Sequence, residues 1–295
     1  LQSYIGATEQ NVGLYEEKNF NARADVIDFI GFQVTEQIEE LLQENGQTNA
    51  LLLLKHRAEK IEHGLGEIDT ILFQKLQAGI RTAVHTGTAF KQLVNEYFDF
   101  DSCHKQPQEE PAYDNLDAFI NHLFSFQPPP SQTKELEPEM VRYQKTPARI
   151  VFELAEKSYF KDDDVFFDIG SGLGQVAILV YLLTGVAARG VDFEPAFCRY
   201  AVECTNALNL SNVEFINVDA RQADFSKGTI FFMYTPFKGT MLQEVLEALR
   251  KESLQRKITL VTFGPCTAEV AKQSWLDSAE PKDDDSYKLA YFVSH

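Results

Sequence analysis

Basic residues are scarce in this chain. Its 295 residues carry 27 Lys and Arg against 44 Asp and Glu, a formal charge of -17. The deficit holds along the chain, with 9 basic against 20 acidic groups up to residue 130 and 18 against 24 beyond it. A nucleic-acid binder needs a basic footprint to displace counterions from phosphates, and no lysine or arginine cluster supplies one. Nucleic acid is therefore not the expected partner, whereas a protein or a cationic small molecule suits an acidic surface. The four cysteines, Cys103, Cys198, Cys204 and Cys266, lack the spacing of a zinc site or a disulfide framework. No metal is expected, and reduced thiols of a cytoplasmic protein are. The six histidines form no Ser-His-acid series, so hydrolysis has no support. No apolar run reaches the roughly 18 residues that a membrane span needs.

Glycine, by contrast, is concentrated where it counts. Asp168-Ile169-Gly170-Ser171-Gly172-Leu173-Gly174 follows a strand-like run at 165–167 and opens into an apolar, helix-like run at 176–183. A strand, a tight glycine turn and a helix form the usual cradle of a nucleotide-like ligand, because glycine accepts positive φ and lets the backbone approach closely. A pyrophosphate is one reading of such a turn. Asp168 argues against it, since a carboxylate beside the first glycine repels phosphate and suits the ammonium of an amino-acid-like ligand. The next apolar stretch, 186–191, ends in Asp192, placed to accept hydrogen bonds from ribose hydroxyls, with Glu194 as the alternative. A third strand-like stretch, 213–218, leads to Asp219-Ala220, with Asp224 as the alternative acid. A fourth, 229–233, ends in Tyr234-Thr235-Pro236-Phe237, which sets polar and aromatic atoms at the C-terminal end of a central strand.

These motifs resemble those of the class I S-adenosylmethionine-dependent methyltransferases. Upstream, Tyr143-Gln144-Lys145-Thr146-Pro147 precedes a helical pattern at 148–158, with Thr146 as the expected N-cap and Pro147 in the first turn. The Tyr-x-x-Thr segment, the helix, the acidic turn 162–164 and Asp-x-Gly-Ser-Gly-x-Gly-Gln together resemble the non-SET-domain histone lysine methyltransferases and bacterial Tyr-x-x-Thr-Pro methyltransferases. The resemblance covers residues 143–266. It implies a Rossmann-like α/β fold with a seven-stranded sheet, and S-adenosylmethionine as the cofactor. Binding residues carried over are Tyr143, Thr146, Asp168, Gly170, Ser171, Gly172, Gly174, Gln175, Asp192, Asp219 and Ala220; Tyr143, Tyr234 and Phe237 are the expected catalytic-side groups. It implies methyl transfer to a protein amine, lysine included, or to a small-molecule nucleophile; a noncatalytic interaction protein that kept the fold is the alternative. Tyr234 stands where nitrogen-modifying members carry Asn or Asp, which speaks against transfer to a nucleobase.

Residues 1–130 are expected to form a helical domain or cap with a linker, and 131–295 the catalytic domain. Val26, Ile30, Val34, Ile38, Leu41 and Leu42 give one amphipathic helical pattern; Leu72, Leu76, Ile80 and Val84 give a second at strict i+4 spacing, and 50–54 and 114–124 further helices. A linker is expected at 103–111, and Pro128-Pro129-Pro130 marks the boundary. After Gly239 the sequence predicts a helix at 241–249 and a strand at 258–263. A hairpin from 275–277 and 287–293 follows, turning at Asp283-Asp284-Asp285.

Overall fold

The computed structural model describes residues 1–45, 48–82, 86–98, 113–125, 127–279 and 285–295. Val84, the linker at 103–111 with Cys103, Phe126, and the acids Asp283 and Asp284 fall outside the described residues. The chain divides into two compact units. The first takes Leu1–Gly79, Asp114–Leu123 and the described part of 92–106; the second takes Ile80–Lys91, Tyr113 and Phe124–His295.

The first unit is helical, with Gln2–Gln10, Phe20–Phe29, Glu36–Asn45 and the long Asn49–Thr82 as its main helices. Ile30, Val34 and Ile38 are buried as the periodicity predicts, while Val26 and Leu42 are partly buried against them. Residues spaced by four drift around an ordinary α-helix. Here Ile30–Thr35 is a π-helical turn, whose wider winding keeps the three side chains facing one core. Arg23 is fully buried. Its Nε donates to Asp69 Oδ1 at 2.7 Å, and its terminal nitrogens donate to the carbonyls of Leu14, Glu16 and Glu17. Removing one partner of a buried pair strands the other, so Arg23→Ala is expected to cost about 3–5 kcal/mol. Chemical denaturation would register this as an earlier transition of the helical unit, and an unmoved midpoint would contradict it.

In the second unit seven strands lie in the order β3-β2-β1-β4-β5-β7-β6. They are β1 Val165–Ile169, β2 Ala187–Asp192, β3 Val213–Asn217, β4 Ile230–Met233, β5 Thr259–Thr262, β6 Leu276–Ser278 and β7 Ala290–Ser294. The first five run parallel, and β7 is antiparallel to both β5 and β6. Strands β1 and β4 are covered on both faces, which is why β4 and the Val165–Phe167 stretch of β1 read as continuous apolar runs instead of alternating. Helix Gln175–Thr184 is buried from Gln175 to Leu183, and Gly185 at φ +83° ends it in the left-handed conformation. From β1 the chain builds outward through β2 and β3, then returns to place β4 on the other side of β1. This reversal opens a crevice above the C-terminal ends of β1 and β4, where ligands of open α/β sheets bind.

One local expectation is corrected. Helix Ala148–Lys157 has Pro147, not Thr146, at its N-cap, with φ -56° and ψ 137° and no capping side chain. Pro147 is itself extended at ψ 137°, and its carbonyl accepts the first helical hydrogen bond, from Ile150 N, so the helix begins at Ala148 and the Thr146 hydroxyl is one residue too early to cap. Thr146 itself is buried.

Candidate active site

The glycine turn is tied down by its own chain. The amides of Gly170 and Ser171 both donate to Val191 O, at 2.8 and 3.0 Å, and that of Gly174 donates to Ser171 O at 2.9 Å. Gly172 N donates to Asp192 Oδ2 at 2.8 Å. A phosphate site needs converging free N–H groups. The amides of Gly170, Ser171, Gly172 and Gly174 are spent within the protein, which agrees with Asp168 in weighing against the pyrophosphate reading.

Buried side-chain atoms behind the turn have no such partners. Asp168 Oδ2, Ser171 Oγ and both amide atoms of Gln175 make no hydrogen bond, although all three residues are at least nine-tenths buried. Orphaned buried polar atoms are costly in the folded state and call for a ligand or water. Burial first, and the neighbouring Asp192 second, push the Asp168 carboxyl up to about 8. Asp168 thus sits largely protonated at neutral pH, and an ammonium group placed against it would favour its ionised form. These groups fit the amino-acid end of S-adenosylmethionine: a carboxylate for the ammonium, with a hydroxyl and an amide for the carboxylate.

The three glycines have separate tasks. All adopt positive φ, at 80°, 51° and 81° for Gly170, Gly172 and Gly174. A Cβ on Gly170 would stand 2.3 Å from Pro236 Cβ, and one on Gly172 2.0 Å from the Tyr143 ring. These two therefore hold the turn against the loops that border the crevice. A Cβ on Gly174 would instead meet Phe215 at 2.5 Å and Ala201 at 2.6 Å. Gly174 is thus a packing glycine, which lets the helix lie close to β3 and Pro195–Ala207, and it does not line the cavity.

That cavity is bordered by Tyr143, Gly170, Asp192, Asp219, Ala220, Tyr234 and Phe237 among the expected residues. Thr146, Asp168, Ser171, Gly172, Gly174 and Gln175 lie outside its lining. Tyr143 covers Gly172, with its ring 5.3 Å from that of Phe197. Burial first, and Asp168 next, raise its hydroxyl above the usual tyrosine range. Tyr234 OH is buried without a partner, and burial pushes its pKa up to about 12. Thr235, a β-branched residue at φ +39°, holds the turn after β4 in a strained conformation, with Oγ1 accepting from Cys266 N at 3.1 Å. Phe237 is both core and cavity wall, being buried and paired through its backbone with Met140.

The strand-end acids differ from one another. Asp192 Oδ1 accepts from Glu194 N at 2.8 Å while Oδ2 holds Gly172, which leaves one lone pair per oxygen for a ligand. Glu194 does not face the cavity; strand β2 ends before it, and its carboxylate is wholly buried. Asp219 borders the cavity, but Arg221 engages it twice, Nε to Oδ1 at 3.0 Å and Nη2 to Oδ2 at 2.6 Å. That hydrogen bonding holds the Asp219 carboxyl below the usual range. Asp224 is exposed and accepts from Ser226 N, away from the lining. Pro265 lies at the cavity as the reading of 263–266 as a rim implies, whereas sequence reasoning missed Phe193, Phe197, Met140 and Tyr287, which also line it. They are apolar or aromatic positions whose common destination follows from no periodicity.

The fold is that of the class I methyltransferases. It rests on the strand order and on the antiparallel β7 inserted between β5 and β6. No family model matches the chain, and no curated protein matches it. Similar solved structures include an RNA methyltransferase from Salinibacter ruber in complex with S-adenosyl-L-homocysteine, at 19% identity and TM-score 0.39, covering 51% of this chain and 92% of that one. A SAM-dependent methyltransferase from Aquifex aeolicus is 18% identical with TM-score 0.41, covering 50% of this chain and 94% of that one. Precorrin-6y C5,15-methyltransferase from Geobacter metallireducens is 18% identical with TM-score 0.39, over 52% and 90% of the two chains. Among the described residues no helix is long and apolar enough to cross a membrane, and no cluster of His, Cys, Asp and Glu is arranged to hold a metal ion.

Proposed function

We propose that this protein is an enzyme that transfers a methyl group from S-adenosylmethionine to an amine, either on a protein, lysine included, or on a cationic small molecule. One observation carries the reading: buried polar atoms of Asp168, Ser171 and Gln175 without partners stand behind a glycine turn whose Gly170, Ser171, Gly172 and Gly174 amides are bonded within the protein and which borders an aromatic cavity. Asp168, Ser171 and Gln175 would hold the amino-acid end of the cofactor, Asp192 its ribose, and Ala220 with Asp219 the base. Bound there, the sulfonium supplies a methyl group electrophilic enough for direct displacement by a nucleophile. The chain's own task is to align that nucleophile and exclude water. Tyr143 and Tyr234 present hydroxyls to orient it, while the rings of Phe237 and Tyr287 give a face that attracts a cation. An amine must lose its proton before it attacks, and an uncharged amine in this apolar setting is favoured over an ammonium by the same desolvation that raises Asp168. Cys198, Cys204 and Cys266 are free and buried, in keeping with our assignment of the protein to the cytoplasm.

The decisive test incubates the protein with methyl-labelled S-adenosylmethionine and separate protein, nucleic-acid and metabolite fractions. Label is expected in protein or in a cationic metabolite. Specific label in nucleic acid, lost in a Gly172 variant, would overturn the acceptor assignment. Cofactor binding without transfer to any fraction would select the noncatalytic alternative.

A further inference from the structure

Residues 127–147 form neither helix nor strand, apart from the bridge of Met140 to Phe237, yet they are fastened at three strand ends. Beyond β4, Val141 N donates to Pro236 O at 3.0 Å, and Glu139 Oε2 accepts from Met241 N at 2.7 Å at the start of helix Gly239–Ser253. Beyond β3, Arg221 Nη2 reaches Glu137 at 2.9 Å while it clasps Asp219. Beyond β2 the fastening is Glu194. Its Oε2 accepts from the amides of Thr133 and Lys134, at 2.8 and 2.7 Å. Its Oε1 accepts from Thr133 Oγ1 at 2.6 Å and from Ala196 N at 2.9 Å. Burial alone would raise this carboxyl, but the four donors outweigh it and hold its pKa near about 2, so the anchor stays ionised throughout the physiological range.

We propose that Glu194 is a positioning residue for the cofactor, acting through the strap that carries Tyr143. Glu194 N is bonded to Asp192, Asp192 is bonded to the Gly172 amide, and the Tyr143 ring rests on Gly172. Strap, anchor, strand-end acid and glycine turn therefore close a circuit, and Glu194 is where the strap's upstream end joins it. With that junction intact, Tyr143 is held in register with the turn; with it weakened, the strap keeps its attachments beyond β3 and β4 but swings more freely over β2. Ligand escape should speed up more than ligand entry slows, because the strap forms a wall over the bound ligand whose loosening weakens its hold more than it changes first encounter.

This inference rests on the cavity binding S-adenosylhomocysteine, so its test has one arm that needs no ligand. Amide exchange is measured on the ligand-free full chain for Glu194→Gln and for Thr133→Val. The second substitution removes one donor to the anchor while leaving the Ala196 cap of helix Pro195–Ala207 untouched, so it remains informative should Glu194→Gln fold poorly. Exchange at Thr133 and Lys134 is expected to rise about tenfold in Glu194→Gln, the loss of hydrogen bonds to a charged group being of that order. Amides of β1 and β4 should keep their protection. The dissociation rate of S-adenosylhomocysteine is expected to rise about tenfold in Glu194→Gln and by less in Thr133→Val, with association little changed. Strap exchange at native rates in both folded variants would overturn the anchoring, and faster strap exchange with a native dissociation rate would overturn the positioning role. A native protein that binds no S-adenosylhomocysteine would defeat the cofactor reading instead, and the exchange arm would still decide the anchor.

Discussion

Valine in place of Gly172 should abolish binding of S-adenosylhomocysteine and leave the sheet folded. Two penalties coincide at this position. The backbone sits at φ +51°, where a β-branched residue is strained. A Cβ there would also lie 2.0 Å from the Tyr143 ring, so Tyr143 must leave its place or the turn must move. The first shift uncovers the turn and opens the crevice at Tyr143; the second displaces the Gly172 amide from Asp192. Affinity is expected to fall by about a hundredfold or more, in line with roughly 3 kcal/mol of combined strain and lost contacts. Gly174→Ala is the contrasting variant. Its Cβ enters packed core beside Phe215 and Ala201, so the loss should be mainly of stability, on the order of 1–3 kcal/mol. Calorimetry on both variants, alongside their unfolding midpoints, separates the two. Native affinity in Gly172→Val would refute the site.

Asp168→Asn should weaken the same ligand by roughly 10- to 100-fold, the worth of a hydrogen bond to a charged partner. It should also remove a pH dependence. In the free protein the Asp168 carboxyl titrates near about 8, raised by burial and then by Asp192. A ligand ammonium favours the ionised form, so binding below that pH must expel a proton. Apparent affinity should therefore tighten as pH rises from about 6 to about 8, by up to ~tenfold per unit, and level off above the free-state pKa. The asparagine variant should give a flat profile across this window. A native profile that weakens with rising pH between 6 and 8, or an asparagine variant that keeps the native slope, would exclude Asp168 as the ammonium's partner.

Much of the site was legible because its elements are short-range. The run before Asp168 is apolar at every position, as a strand covered on both faces must be, and the glycines that follow mark the positive φ that the turn needs. The strand ends at Asp192 and Asp219 were also readable to within a residue or two. Thr146 misled because Thr followed by Pro suits a helix that starts at the proline, whereas here Pro147 stays extended and the helix starts one residue later. Asp219 lines the cavity while Arg221, two positions on, engages its carboxylate, a pairing that no motif announces. Glu194 looked like a strand-end ligand, but the Pro195 after it starts a helix, and Glu194 caps it.

The sequence by itself determined the order of strands and helices in the second unit, the glycine turn and the acid beside it, because each depends on periodicity or on backbone preference within a few residues. Tertiary structure alone decided that Asp168, Ser171 and Gln175 lack partners, that Gly174 serves packing while Gly172 lies under Tyr143, and that Glu194 grips residues some sixty positions upstream. Burial, close approach and hydrogen-bond satisfaction are properties of what the folded chain brings alongside a group, and no local pattern encodes its distant neighbours.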